Sequence, residues 1–117
     1  MLKLEAQLAK SNPDNQNDEM LQSIVDDLNE KYSAMSDYTD ISNSFYKYVT
    51  DVLDVEYRID RQHRVRSVKL CLAFGGPNIY LDTTEGLVKL HWGVTTVERW
   101  ISTEICEAID DIYEGLF

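Results

Sequence analysis

The chain has 117 residues, 44% of them apolar, and a formal charge of −10 at neutral pH. That length and apolar content suit one domain that buries a core without metal or disulfide staples. The acidity, with a pI near 4.4, argues against direct binding to nucleic acid or to anionic membranes and fits a basic partner.

Leu2 to Lys10 has the composition of a short helix. The polar, turn-forming stretch Ser11-Asn12-Pro13-Asp14-Asn15-Gln16-Asn17 interrupts it, so residues 1–17 read as an arm free to move. From Asp18 the pattern turns helical, with Leu21, Ile24, Val25, Leu28, Tyr32 and Met35 on one apolar stripe and Asn17 or Asp18 placed to cap it. Asp26, Asp27 and Glu30 fall off that stripe. After a break at Ser36 to Thr39, Ile41, Phe45, Tyr48, Val49, Val52 and Leu53 recur at helical spacing behind Asp40, which makes residues 18–53 a helical segment of two helices.

At Asp54 the period changes to two. Val55, Tyr57 and Ile59 alternate with Glu56, Arg58 and Asp60, the pattern of a half-buried strand. Val68, Leu70, Leu72 and Phe74 continue the alternation across a turn rich in Arg, giving a hairpin with a basic tip. Gly75-Gly76-Pro77-Asn78 marks a tight turn. Ile79 to Thr83 and Leu87 to Trp92 then read as further strands, with Val94 to Trp100 as a short fifth. Trp92 and Trp100 are assigned mainly to the core. Ser102 caps a last helix whose stripe is Ile105, Ile109, Ile112 and Leu116. The expected fold is α+β over residues 1–117: two N-terminal helices, an antiparallel meander of four to five strands within 54–101, and a C-terminal helix, 102–117, packed on the sheet.

Charge is divided unevenly. Residues 1–57 carry twelve acids against four bases, whereas residues 58–70 carry Arg58, Arg61, Arg64, Arg66 and Lys69 against Asp60. Glu104, Glu107, Asp110, Asp111 and Glu114 then crowd the last seventeen residues with no base among them. On a helix, 104, 107, 111 and 114 share one face. Carboxylates late in a helix oppose its macrodipole, so local stability does not account for them. A row of negative charge on a rigid rod imitates a phosphate backbone, and a solvated helix face is the plain alternative. The basic tip either guards a sheet edge or pairs with acid on another copy, which makes Arg58, Arg61, Arg64 and Arg66 candidates for self-association.

Signs of an enzyme are weak. Neither His63 nor His91 stands in a motif that supplies a nucleophile and an orienting group. The Gly-Gly-Pro-Asn turn lacks both GxGxxG and the Walker pattern, and no EF-hand spacing is present. Cys71 and Cys106 lack metal-ligand spacing and read as reduced core thiols. No catalytic, cofactor-binding or metal-binding residue is therefore assigned. The opening MLKLEAQLAK contains Glu5 and no long apolar region, and no run of about 18 apolar residues occurs, so the expected location is the cytoplasm.

Val55-Glu56-Tyr57-Arg58-Ile59-Asp60, Leu72 to Thr83 around Gly75-Gly76-Pro77-Asn78, Leu90-His91-Trp92-Gly93 and Ala108-Ile109-Asp110-Asp111 together resemble a group of small acidic proteins carried by phages and plasmids of Gram-positive gut bacteria. The resemblance spans about residues 54–117 and carries no catalytic residue. Through its likeness in size and acidity to anti-CRISPR and anti-restriction proteins, it implies a non-enzymatic inhibitor of a host defence nuclease. The implied partner is a type II RNA-guided nuclease, whose Lys- and Arg-lined channels an acidic surface can occupy. Glu104, Glu107, Asp110, Asp111 and Glu114 are then the expected contact residues, with Asp26, Asp27 and Glu30 as a second patch. A structural or regulatory interaction module of a mobile element, acting as a homodimer, is the alternative.

Overall fold

The computed structural model describes residues 13–34 and 45–116. Helix α1 spans Pro13–Ala34 and a single turn, α2, spans Lys47–Thr50. Five strands follow, β1 Asp54–Ile59, β2 Val65–Ala73, β3 Asn78–Asp82, β4 Leu87–Trp92 and β5 Thr95–Trp100, and α3 spans Thr103–Leu116. The sheet order is β1-β2-β3-β4-β5 with every neighbouring pair antiparallel, so the meander is complete at five strands. No helix among the described residues is long and apolar enough to cross a membrane.

Both long helices lie on one face of the sheet, α1 against β4 and β5 and α3 against β2, and they touch each other. Alternation places Leu70, Leu81 and Val88 in one cross-strand row, and Ile79 and Leu90 in another. All five side chains are fully buried. Met20, Leu21, Ile24 and Leu28 of α1 and Ile105, Ile109 and Ile112 of α3 close the core over them. Truncating Ile109 to Ala should cost about 2–5 kcal/mol in urea unfolding, because the hole it leaves cannot collapse fully.

The second face of the sheet carries no helix among the described residues. Its rows are polar and alternate in charge: Glu56, Lys69 and Asp82 stand side by side, and so do Tyr80, Lys89 and Glu98. Lys89 Nζ lies 3.5 Å from Glu98 and 3.8 Å from Glu85, and the Lys69 ammonium sits 4.8 Å from the centre of the Tyr80 ring.

Several sequence expectations are corrected here. The polar stretch does not hold the chain out of the helix until Asp18: α1 begins at Pro13, where a missing N–H and a fixed φ suit a first turn. Asn17 is consequently no cap but a fully buried residue, and its side-chain amide has no hydrogen-bond partner among the described residues. The second N-terminal helix reduces to the turn Lys47–Thr50 within the described residues, with Leu53 exposed. Residues 1–12, Met35, the break at 36–39, Asp40 and Ile41 lie outside the described residues. Phe74 does not continue the inward row of β2, because the register slips between Cys71 and Ala73 and leaves its side chain 70% exposed. Trp100 is 75% exposed on the bare face of β5, whereas Trp92 packs partly against the core. Leu116 is exposed at the helix end, and Cys106, Ala108 and Tyr113 fill the buried stripe of α3 instead.

Candidate functional site: the outer surface of the helical layer

Ser102 starts α3 as the sequence implied. Its hydroxyl accepts the Ile105 N–H at 3.2 Å and its carbonyl accepts the Cys106 N–H at 3.1 Å. With Ile105, Ile109 and Ile112 turned to the sheet, helical periodicity sends Glu104, Glu107, Asp111 and Glu114 outward, and all four are exposed. Glu104, Glu107 and Asp111 follow one another at about 4.5 Å and about 6 Å along the helix axis. No Lys or Arg among the described residues pairs with any of them.

Two acids of α3, Asp110 and Glu114, are held by the fold. Asp110 is half-buried and accepts a hydrogen bond from Thr83 Oγ1 at 2.6 Å. Burial raises its pKa, the Thr83 hydroxyl opposes that rise, and the nearby Asp111 and Glu107 charges add to it. Glu114 accepts the backbone N–H of Val65 at the start of β2, so it ties the end of α3 to the first hairpin. That contact gives a carboxylate at an unfavourable end of the macrodipole a structural reason to be there.

On α1 the outward residues Glu19, Gln22, Ser23, Asp26, Asp27 and Glu30 line a shallow open groove. Asp26 accepts a hydrogen bond from Gln22 at 2.9 Å, and Glu19 and Glu30 are exposed with no ion pair among the described residues. Asp27 has different work. It receives Lys31 Nζ at 2.7 Å, Lys47 Nζ at 2.9 Å and the Tyr48 hydroxyl at 2.6 Å. Burial pushes the Asp27 carboxyl up, but the hydrogen bonds from Lys31, Tyr48 and Lys47 outweigh it and hold the pKa below the ordinary value.

Tyr48 joins the helices. Its carbonyl accepts the Tyr113 hydroxyl of α3 at 2.6 Å while its own hydroxyl reaches Asp27 of α1. Burial and the Asp27 carboxylate drive the Tyr48 phenol far above its usual range, and burial pushes Tyr113 up to about 12. Both therefore stay neutral donors at physiological pH. The clasp keeps α1 and α3 side by side, so the two acidic patches belong to the same layer of the molecule.

Density of charge decides what such a surface can imitate. One strand of duplex DNA carries a phosphate about every 3.4 Å of axis, and α3 alone is sparser than that. Glu19, Asp26 and Glu30 on the adjacent helix raise the density. Glu19 escaped notice in the sequence because an acid in the first turn of a helix beginning at Asp18 needs no special reason. Once α1 starts a turn earlier, 19, 26 and 30 align at i, i+7 and i+11.

The basic tip is partly spent. Asp60 accepts the backbone N–H groups of Gln62 and Arg64, at 2.9 and 3.0 Å. It also pairs with Arg66 at 2.7 Å and Arg64 at 3.4 Å. The Arg64 backbone bond leads the effects that lower the Asp60 pKa. Arg58 and Arg61 remain exposed with no ion pair among the described residues.

Residues considered for other chemistry sit in ordinary settings. His63 occupies the exposed tip with φ of 63°, and His91 Nδ1 lies 3.0 Å from Thr96 Oγ1. Cys71 and Cys106 are buried and free. Burial leads the rise of both thiols, Cys106 to about 11 with Asp110 and Asp82 adding to it, so neither is a ready thiolate. Among the described residues no group of three or more His, Cys, Asp or Glu side chains converges on a metal position.

Comparison with protein-family models, with curated proteins and with solved structures gives no match.

Proposed function

We propose that this protein is a non-enzymatic inhibitor that occupies a nucleic-acid-binding surface of a bacterial defence nuclease, in its specific form a type II RNA-guided nuclease. The observation that carries the proposal is the unpaired acid on the outside of the helical layer: Glu104, Glu107 and Asp111 on α3, beside Glu19, Asp26 and Glu30 on α1. Among the described residues no Lys or Arg pairs with these carboxylates, although bases are present elsewhere. A basic channel would neutralise them as it neutralises phosphates. The resemblance of residues 54–117 to small acidic proteins of mobile elements points to the same class of target.

Asp27, Asp110 and Glu114 act in this reading as supports, each fixing a helix to its surroundings. Charge on a surface of this kind speeds association and makes it salt-sensitive. The test is target cleavage by purified guide-loaded type II nucleases, with the protein added before or after target DNA. Inhibition confined to addition before DNA is the expected result, and the variant Glu104→Lys/Glu107→Lys/Asp111→Lys should fold normally and lose it. Undiminished inhibition by that variant would remove this surface from consideration. Failure of the wild-type protein against every nuclease tried would favour the interaction-module reading instead.

A further inference from the structure

Among the described residues the sheet has two edges without a further strand, and they differ. Among the described residues β1 pairs only with β2 and β5 only with β4. An edge strand offers alternate N–H and C=O groups to any strand that can match its side chains. In β5 the charged residues are already engaged, Glu98 with Lys89 and Arg99 with Asp18 at 2.7 Å. They also lie on opposite faces of the sheet, so no two-fold register can bring one opposite the other.

In β1 the pattern reads the same from either end. Val55, Tyr57 and Ile59 share one face and Glu56 and Arg58 the other. Glu56 and Arg58 are exposed and make no ion pair among the described residues, and Tyr57 and Ile59 are 41% and 40% exposed. Laid antiparallel on a second copy about a two-fold axis through Tyr57, Glu56 meets Arg58 twice, Val55 meets Ile59 twice, and the tyrosines meet each other. Centring the pairing one residue earlier opposes Glu56 to itself, and one residue later does the same with Arg58. The Glu56-centred register also sets Asp54 against Arg58 and Val55 against Tyr57, but of the three only the Tyr57 register opposes no like charges within Asp54–Ile59.

At the strand ends this register sets Asp54 opposite Asp60, whose charge Arg64 and Arg66 already pair. It carries the hairpin tip of one copy past the start of β1 in the other, bringing Arg61, which has no ion pair among the described residues, toward exposed Asp51. We propose that the protein self-associates through β1 in this two-fold register, forming one ten-stranded sheet. A two-fold axis normal to the sheet keeps both helical layers on the same side, so the dimer presents two copies of the acidic surface in one direction. The inference rests on the edge strand and stands independently of the proposed inhibitory role.

The experiment is sedimentation equilibrium of the full chain and of two variants, Glu56→Arg and Arg58→Glu, with thermal unfolding to verify that each folds. The wild type should dimerise with a Kd on the order of 10 μM, as expected of a small edge interface. Each variant alone opposes like charges twice and should dimerise at least about tenfold more weakly. Mixed together, the two restore both opposite-charge pairs and should form a heterodimer of about wild-type affinity. A wild type that stays monomeric at about a hundred times that concentration overturns the proposal. So does a dimer that both variants retain but Val94→Lys/Trp100→Lys on the β5 edge abolishes.

Discussion

The two outer surfaces of this molecule handle charge in opposite ways. On the bare face of the sheet, acid and base alternate across strands, and Lys89 stands between Glu85 and Glu98. On the helical layer Glu104, Glu107 and Asp111 of α3 pair with no base among the described residues, and the bases that occur there are engaged elsewhere, Lys31 and Lys47 with Asp27 and Arg99 with Asp18. A solvated sheet face gains from local neutrality. Charge left unbalanced on a rigid layer costs a little stability and gains long-range attraction for a basic partner. The contrast locates the unbalanced charge on the helical layer, the surface proposed to meet the partner.

Equal charge changes on the two surfaces are the strongest way to break that contrast. Glu107→Lys/Asp111→Lys and Glu85→Lys/Glu98→Lys each add four units of charge. The first should raise the concentration for half-inhibition of cleavage by about 100-fold, since two interfacial attractions become repulsions. The second should change it by less than about fivefold, reflecting only the long-range field. Equal losses from both pairs would mean that net charge alone matters and that neither surface is the contact.

A smaller effect separates the ion pairs of the two regions. Asp27→Ala removes the acceptor from Lys31, Lys47 and the buried Tyr48 hydroxyl, and should cost about 2 kcal/mol in urea unfolding because Tyr48 is left without its partner. Lys89→Met on the sheet face should cost less than about 0.5 kcal/mol, since both of its acids are exposed and its contacts with them are long, 3.5 and 3.8 Å. The Asp27 contribution also has a defined pH window. Its folded pKa is lowered, so the stabilisation is complete above the unfolded value near 4 and fades as pH falls through the folded value.

What the sequence disclosed divides along the same line. Period-two alternation and turn residues revealed the strands and their order, and the i, i+3, i+7 spacing revealed the acidic face of α3, because both signals are local. Glycine at 75 was legible too: its φ of 107° and its N–H bonded to Asn78 Oδ1 at 2.8 Å are what the Gly-Gly-Pro-Asn turn requires. The roles of Asp110 and Glu114 were not legible. Their partners, Thr83 and Val65, lie 27 and 49 residues away in the chain, and only packing of α3 on the sheet brings them together. Trp100 and Phe74 were misplaced for a related reason: hydrophobicity favours burial, but a strand's bare face and a register slip decide which side chains obtain it.

Asp110 provides the finest test, because it sits on the acidic helix and yet faces the sheet. Burial raises its pKa, and the Thr83 hydroxyl offsets part of that rise. The sign is opposite to that of Asp27: the folded state holds the Asp110 proton more tightly than the unfolded chain, so a penalty develops as pH rises through the unfolded value and is complete above the folded one. Asp110→Asn keeps an acceptor for Thr83 Oγ1 and removes the charge. It should therefore be stabilising at pH 7 by a few tenths of a kcal/mol, solvent screening limiting the gain at a half-buried site, and nearly neutral near pH 3. Inhibition should be unchanged, since the side chain is turned from the surface that carries Glu104, Glu107 and Asp111. A variant that instead lost inhibition while gaining stability would place Asp110 among the contact residues and extend the functional surface to the junction of α3 with the sheet.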